Sequence, residues 1–155
     1  MDNNKIEKIK KLWEQENISN SIVIEENEIL SFQNKNNLFI PSDLAEYFKQ
    51  LNGSNDEYDK NFFRFYSFSD FTSLGGGLTT WNGSSDVINA VGDFVFVFAD
   101  YLFCMFSYAI KLYSNASLNN EVLIICGDES KIIANSFSEF IDLYLDNSIE
   151  LQFND

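Results

Sequence analysis

Carboxylates are the side chains of this sequence whose type and placement could support catalysis, because the chain contains no histidine. Without histidine, zinc and haem sites lose their usual ligand, and serine or cysteine nucleophiles lose their usual base. Asp93 and Asp100 border a strongly apolar segment, where burial could shift a carboxyl pKa toward general acid–base work. Nothing in the sequence specifies a substrate, and acids at strand ends ordinarily lie in solvated turns. The residues therefore favour binding over catalysis, with a carboxylate-based hydrolase as the enzymatic alternative.

Two further segments each show one feature of a ligand-binding motif but lack the rest of that motif. Gly75, Gly76 and Gly77 are not followed by the Lys-Ser/Thr of a phosphate-binding loop. The acidic segment 56–59 lacks the alternating acids and the glycine at the sixth position that a calcium loop needs. We interpret both segments as solvated loops and predict no metal and no cofactor.

The cysteines and the apolar segments bear on location. Cys104 and Cys126 each lie in an apolar run, which favours two buried, reduced thiols over a disulfide. The lysine-rich start of the chain continues as an amphipathic pattern and not as the apolar core of a signal peptide. The apolar stretch 94–110 is interrupted by Asp100 and is too short to span a bilayer. We therefore predict a cytoplasmic protein that does not insert into a membrane.

The charge is strongly negative and unevenly distributed. The net charge is −14, and residues 12–155 hold six basic against 22 acidic side chains. Such a surface repels nucleic acid and anionic lipid and speeds encounter with basic proteins. High solubility alone is an equally good explanation of the charge. We predict a protein partner and no nucleic-acid or membrane partner.

Three helices are predicted from apolar spacing and end motifs. Residues 5–16 place apolar side chains at helical spacing, with lysine and glutamate on the other face. Residues 41–53 begin with Pro-Ser-Asp, which can cap a helix, and end at Asn-Gly, which can stop one. Residues 136–145 begin with a Ser-x-x-Glu capping box.

The remaining segments are predicted to form a sheet and its loops. Residues 20–37 are polar and asparagine-rich and are predicted to be a loop or a short edge strand. The almost purely apolar segment 94–98 is typical of a strand in the middle of a sheet. Further strands are predicted at 62–68, 103–113, 121–126 and 131–134, with a long loop over 69–85. Because helices and strands do not alternate as βαβ units, residues 1–155 are predicted to form a single α+β domain with an antiparallel meander.

Acidic and aromatic residues of the predicted loops are the candidates for a partner-binding surface. Carboxylates give fast association with a basic partner, and tyrosine or tryptophan supplies buried anchors. The candidates are Asp56, Glu57, Tyr58, Asp59, Asp70, Trp81, Asp86, Asp93, Asp128 and Glu129. Tyr66 and Tyr101 also fall at predicted strand ends, although core packing is the more common role for any one aromatic side chain.

Short motifs in a fixed order along the chain resemble those of a known family. The matching segments are Leu38–Gly53, Phe62–Phe68, Val97–Asp100, Tyr108–Ile110, Val122–Cys126 and Ile132–Phe140. Together they resemble the SUKH superfamily, which includes the fungal cell-wall assembly regulator domain, and the resemblance spans residues 5–146. Ser54 stands where the family has a second glycine, and the three glycines at 75–77 match no family motif.

The resemblance implies an α+β domain with helices on one face of a mixed, mostly antiparallel, twisted sheet, with no cofactor and no enzymatic activity. It also implies an immunity protein that binds and neutralises a cognate polymorphic or contact-dependent bacterial toxin, and a basic nuclease domain would suit the acidic surface. The alternative is an intracellular scaffold or regulatory domain, as in the fungal relatives. Either protein could be a monomer or a weak homodimer. The motif residues assigned to the fold, and not to partner contact, are Pro41, Asn52, Gly53, Phe98, Asp100 and Phe137.

Overall fold

Four α-helices and six β-strands are present in residues 3–74, 94–116 and 119–153, the parts of the chain that our computed structural model describes. The helices are α1 Asn3–Gln15, α2 Glu26–Asn36, α3 Ser42–Gln50 and α4 Phe137–Leu145. The strands are β1 Phe63–Phe65, β2 Thr72–Ser73, β3 Val95–Tyr101, β4 Phe106–Lys111, β5 Val122–Cys126 and β6 Glu129–Ala134. Short 3-10 turns occupy Phe68–Asp70 and Ile149–Leu151. The predicted α+β class is confirmed.

Helix α2 lies where a loop or an edge strand was predicted for residues 20–37, so that prediction is wrong. The helix begins with a capping box, in which the Glu28 carboxylate accepts a hydrogen bond from the Glu25 backbone N–H at 3.0 Å. Ile29 is buried, and the Phe32 ring packs against three aromatic rings at 5.3–5.8 Å between centroids. With only these two apolar side chains facing the core, the helical period is hard to see among the surrounding asparagines.

The strands form one open sheet in the order β1-β3-β4-β5-β6, with β2 also paired to β3. Every strand pair among the described residues is antiparallel. One complete row crosses the sheet through Arg64, Asp100, Ser107, Ile125 and Ser130. Since neighbouring strands lie about 4.8 Å apart, this row is about 19 Å long. The β3–β4 hairpin, the β5–β6 hairpin and the loop before β1 therefore meet at one end of the sheet.

The helices pack on one face of the sheet around an aromatic core. Phe65, Phe98 and Tyr108 project from the sheet toward Phe140 and Tyr144 of α4, with ring centroids 4.8–5.2 Å apart in several pairs. Each fully buried aromatic side chain contributes roughly 2–3 kcal/mol through removal of apolar area from water. A smaller apolar cluster, formed by residues of β3, β4 and β5 with Tyr66 and Leu74, covers the opposite face and contains no residue of the four described helices.

The motif between α3 and β1 closes a tight turn. Asn52 has φ 54°, and its side-chain amide donates to the Ile22 carbonyl oxygen and accepts from the Phe68 N–H. Gly53 has φ 95°, and a Cβ there would lie 2.8 Å from the backbone of Tyr66 and Ser67. The hydroxyl of Ser54 donates to the Glu57 carbonyl and accepts from the Phe65 N–H. The turn is therefore structural, as the sequence indicates for Asn52 and Gly53.

None of the described helices has the length and apolar character needed to cross a bilayer.

Candidate functional site

Four of the predicted acidic candidates lie exposed around the hairpin end of the sheet. Asp128 lies in the β5–β6 turn and Glu129 begins β6, while Asp56 and Glu57 lie in the loop that runs beside β1. The two groups stand on opposite sides of the β3–β4 hairpin, because β3 and β4 lie between β1 and β5 in the sheet. Lys60 is an exposed basic residue in the same loop as Asp56. The balance of charge around the hairpin is negative.

Two other acidic candidates lie elsewhere. Asp59 is buried, and its carboxylate accepts hydrogen bonds from the Tyr144 hydroxyl at 2.6 Å and the Phe63 N–H at 2.9 Å. Burial raises the pKa of the Asp59 carboxyl, and these hydrogen bonds oppose the rise. Asp59 therefore joins α4 to the loop before β1 and offers nothing to a partner. Asp70 is exposed in the turn that leads to β2, away from the hairpins. The remaining candidates lie outside the described residues and are Trp81, Asp86 and Asp93.

Tyr58 belongs to a polar cluster built around Asp100, which is fully buried. The Asp100 carboxylate accepts from the Arg64 guanidinium at 2.7 and 3.0 Å, from the Tyr58 hydroxyl at 2.7 Å and from the Tyr66 hydroxyl at 2.8 Å. The Arg64 guanidinium carbon also lies 4.9 Å from the Tyr58 ring centroid and 5.4 Å from that of Tyr66. We call Tyr58, Arg64, Tyr66 and Asp100 the Asp100 cluster. It ties the loop before β1 to the end of β3.

The electrostatics of the Asp100 cluster favour a fixed ion pair over a reactive one. Burial and the Asp100 carboxylate both raise the pKa of Tyr58 and of Tyr66, so the two hydroxyls remain protonated donors. Burial disfavours the charged form of Arg64, but its hydrogen bonds to Asp100 hold the guanidinium pKa above the ordinary value. Three of the four hydrogen bonds end on Oδ2 and one on Oδ1, so every one of these donors stabilises the charged carboxylate. The cluster therefore holds the backbone in place and supplies no free base.

Cys104 lies beside this cluster and is exposed, so the prediction of a core thiol is wrong at this position. Cys126 is half-buried, so it is neither a core thiol nor a fully exposed one. Although the residue as a whole is exposed, partial desolvation of its sulfur, followed by the negative charge of Asp100, raises the pKa of the Cys104 thiol. A raised pKa disfavours the thiolate, so exposure does not make Cys104 a nucleophile.

Three large apolar side chains project into solvent at the same end of the sheet. Phe103 is 71% exposed, Met105 53% and Phe62 46%. The Phe103 ring packs on the ring of Tyr58, with centroids 4.7 Å apart. We call these three residues, together with the carboxylates of Asp56, Glu57, Asp128 and Glu129, the hairpin-end surface. It combines apolar anchors with an acidic border.

Phe103 and Met105 were not among the predicted candidates because no turn residue separates β3 from β4, and Phe62 was not because it lay in the predicted strand 62–68. The segment Tyr101–Phe106 contains no Gly, Asn or Pro, and a strand was predicted to begin at residue 103, three residues early. The turn could still be predicted from the sequence, because two buried, consecutive antiparallel strands require a turn between them. Side chains in such a turn have little of the sheet to pack on, and here residues 103–105 face solvent.

Two surface cavities lie away from the hairpin end. One, of about 550 Å³, lies between α2 and the β2–β3 edge and has Glu28 as its carboxylate. The other, of about 530 Å³, lies beside Phe94 and Tyr113, and none of its described lining residues is a carboxylate. Among the residues that the structure describes, neither cavity brings together the two acids that a carboxylate-based hydrolase needs. No group of three or more His, Cys, Asp or Glu in the described ranges could hold a metal ion.

Comparison with known proteins finds no matching protein-family model and no matching curated protein. An assignment of function therefore depends on the residues and geometry of the chain itself.

Proposed function

We propose that this chain is an immunity protein that binds a basic toxin domain and neutralises it by occluding the toxin's active site or substrate groove. The observation that carries the proposal is the hairpin-end surface. There, solvent-exposed Phe62, Phe103 and Met105 lie between two pairs of exposed carboxylates. Large apolar side chains supply the buried centre of a protein interface, and charges at its rim steer the encounter.

The sign of the charge supports a basic partner. The net charge of −14 gives an attractive field for a cationic domain and a repulsive field for nucleic acid. A toxin that acts on nucleic acid needs a cationic substrate groove, because phosphate contacts dominate such binding. An acidic surface with protruding apolar side chains is complementary to such a groove and competes with the substrate for it. The resemblance of the motifs to the SUKH superfamily supports the same class of partner.

Co-expression with the toxin domain encoded beside this chain tests the proposal. We expect the cells to survive and the two proteins to co-purify as a stable complex. Asp128→Lys should slow association several-fold, with an effect that shrinks at high salt, because the charge lies at the rim. Asp70→Lys makes the same charge change away from the hairpin end and should leave association nearly unchanged.

Growth arrest together with no co-purification, when the toxin is shown to be active, would contradict the proposal. The scaffold hypothesis would then be preferred. Rescue without a complex would also contradict binding as the mechanism, because protection would then have another cause.

A further inference from the structure

Non-glycine residues with a left-handed backbone conformation fall into two groups, which differ in residue type and in position in the fold. Ten non-glycine residues among the described ranges have positive φ angles, and six of them are Asn or Asp. Those two types tolerate this conformation best, because their short polar side chains bond locally. The other four are Phe62 (φ 70°), Leu102 (φ 50°), Phe103 (φ 54°) and Cys104 (φ 69°). Bulky side chains are strained in this region of backbone space.

All four strained residues belong to one small structure at the hairpin end. The Leu102 N–H donates to the Phe62 carbonyl oxygen at 2.9 Å, and the Met105 N–H donates to the Leu102 carbonyl oxygen at 3.2 Å. These bonds close the β3–β4 turn against the residue that precedes β1. Strain of this kind persists only where surrounding contacts determine the backbone conformation, and it concentrates at binding and catalytic sites.

Burial of the Phe103 side chain does not offset the backbone strain at this residue, since 71% of the side chain is exposed. Asparagine would satisfy the same backbone with less strain, and this sequence uses it at Asn17, Asn37 and Asn147. The aromatic ring at this position thus contributes little to the fold beyond its contact with Tyr58. Its chemistry suits contact with another molecule.

We propose that Phe103 is the anchor residue of the partner interface, and that the Asp100 cluster positions it through the contact between Tyr58 and Phe103. This inference rests on the proposed function, since it assigns the central contact of that interface. The partner that fits is a folded protein whose apolar pocket is bordered by basic side chains, because the acidic loop with Asp56 and Glu57 and the acidic β5–β6 hairpin lie on either side of the β3–β4 hairpin in the sheet. A second copy of this chain does not fit this surface, because it also carries a net charge of −14 and the like charges would repel each other.

Replacement of Phe103 by asparagine separates anchoring from folding. Phe103→Asn removes the ring and relieves the left-handed strain, so we expect the Tm to rise by about 1–3 °C. The same variant should raise the Kd for the toxin domain about 30-fold or more, as truncation of an interface anchor does. Phe94→Asn is the matched control, because Phe94 is 55% exposed and precedes β3, at the opposite end of that strand. Its Kd should equal that of the wild type.

Two results would overturn the inference independently. A fall in the Tm of Phe103→Asn would show that the ring is retained for stability, and this holds whether or not any partner is known. An unchanged Kd in a wild-type complex that does form would show that Phe103 is not the anchor. If the wild type binds no toxin, the proposed function fails, while a raised Tm of Phe103→Asn still supports an anchoring role toward a different basic protein.

Discussion

Arg64→Met should destabilise the fold by about 3 kcal/mol, because it leaves a buried carboxylate without its charged partner. Asp100 is fully buried and accepts two of its four hydrogen bonds from Arg64. Breaking such a pair costs roughly 3–5 kcal/mol. We take the low end because the Arg64 side chain is 26% exposed and water can enter when it is removed. Methionine keeps an unbranched apolar side chain of similar length beside the rings of Tyr58 and Tyr66, so lost packing adds little.

Urea unfolding measures this effect directly. For a slope of about 2 kcal/mol per molar urea, a loss of about 3 kcal/mol lowers the midpoint by roughly 1.5 M with the slope unchanged. Lys49→Met is the control, since Lys49 contacts Glu26 at a similar 2.8 Å but that carboxylate is 59% exposed. The control should lose less than about 1 kcal/mol. A loss for Arg64→Met as small as that of the control would refute the argument, because burial of Asp100 would then make no difference.

Gly53, Asp59 and Cys104 each lie in surroundings whose effect can be measured. Gly53→Ala should destabilise the fold by roughly 3 kcal/mol or more in urea unfolding, because the added Cβ would clash with backbone atoms. Gly127→Ala is the control and should cost about 1 kcal/mol, because Gly127 also has a positive φ of 60° but its added Cβ would have no atom within 4 Å. The pKa of Asp59 is raised by burial, so its contribution to stability is full below the ordinary value of 3.8 and declines as pH rises through the raised value. Wild-type stability relative to Asp59→Asn should therefore fall across that window in urea titrations at a series of pH values, and a rise would contradict the sign. The thiol pKa of Cys104 is raised by partial burial of the sulfur and by Asp100. Iodoacetamide at pH 8 should therefore alkylate Cys104 more slowly in the folded than in the unfolded chain, as measured by mass spectrometry. Equal rates would show that the environment of the thiol is unimportant.

The helices and strands with strong local patterns were predictable because each carries its pattern within a few residues. The capping serine of α4, Ser136, accepts from the Glu139 N–H at 3.0 Å as its motif indicates. Helix α1 buries Ile6, Ile9 and Trp13, the apolar side of its predicted stripe. Helix α2 was missed because its stability depends on the packing of Phe32 on distant aromatic rings, which no local period reveals.

The α+β class, the strongly negative charge and the structural turn at Asn52 and Gly53 were predictable without coordinates, because they depend on composition or on residues close together in the chain. The packing of the folded chain sets which acids are accessible, because Asp59 and Glu57 are two residues apart and yet one is buried against α4 and the other is exposed. It also decided that Phe103 faces solvent, since that depends on the antiparallel pairing of β3 with β4 and on hydrogen bonds to residues about 40 positions away. Contacts of this separation are set by the packing of the whole sheet, and local sequence patterns carry no record of them.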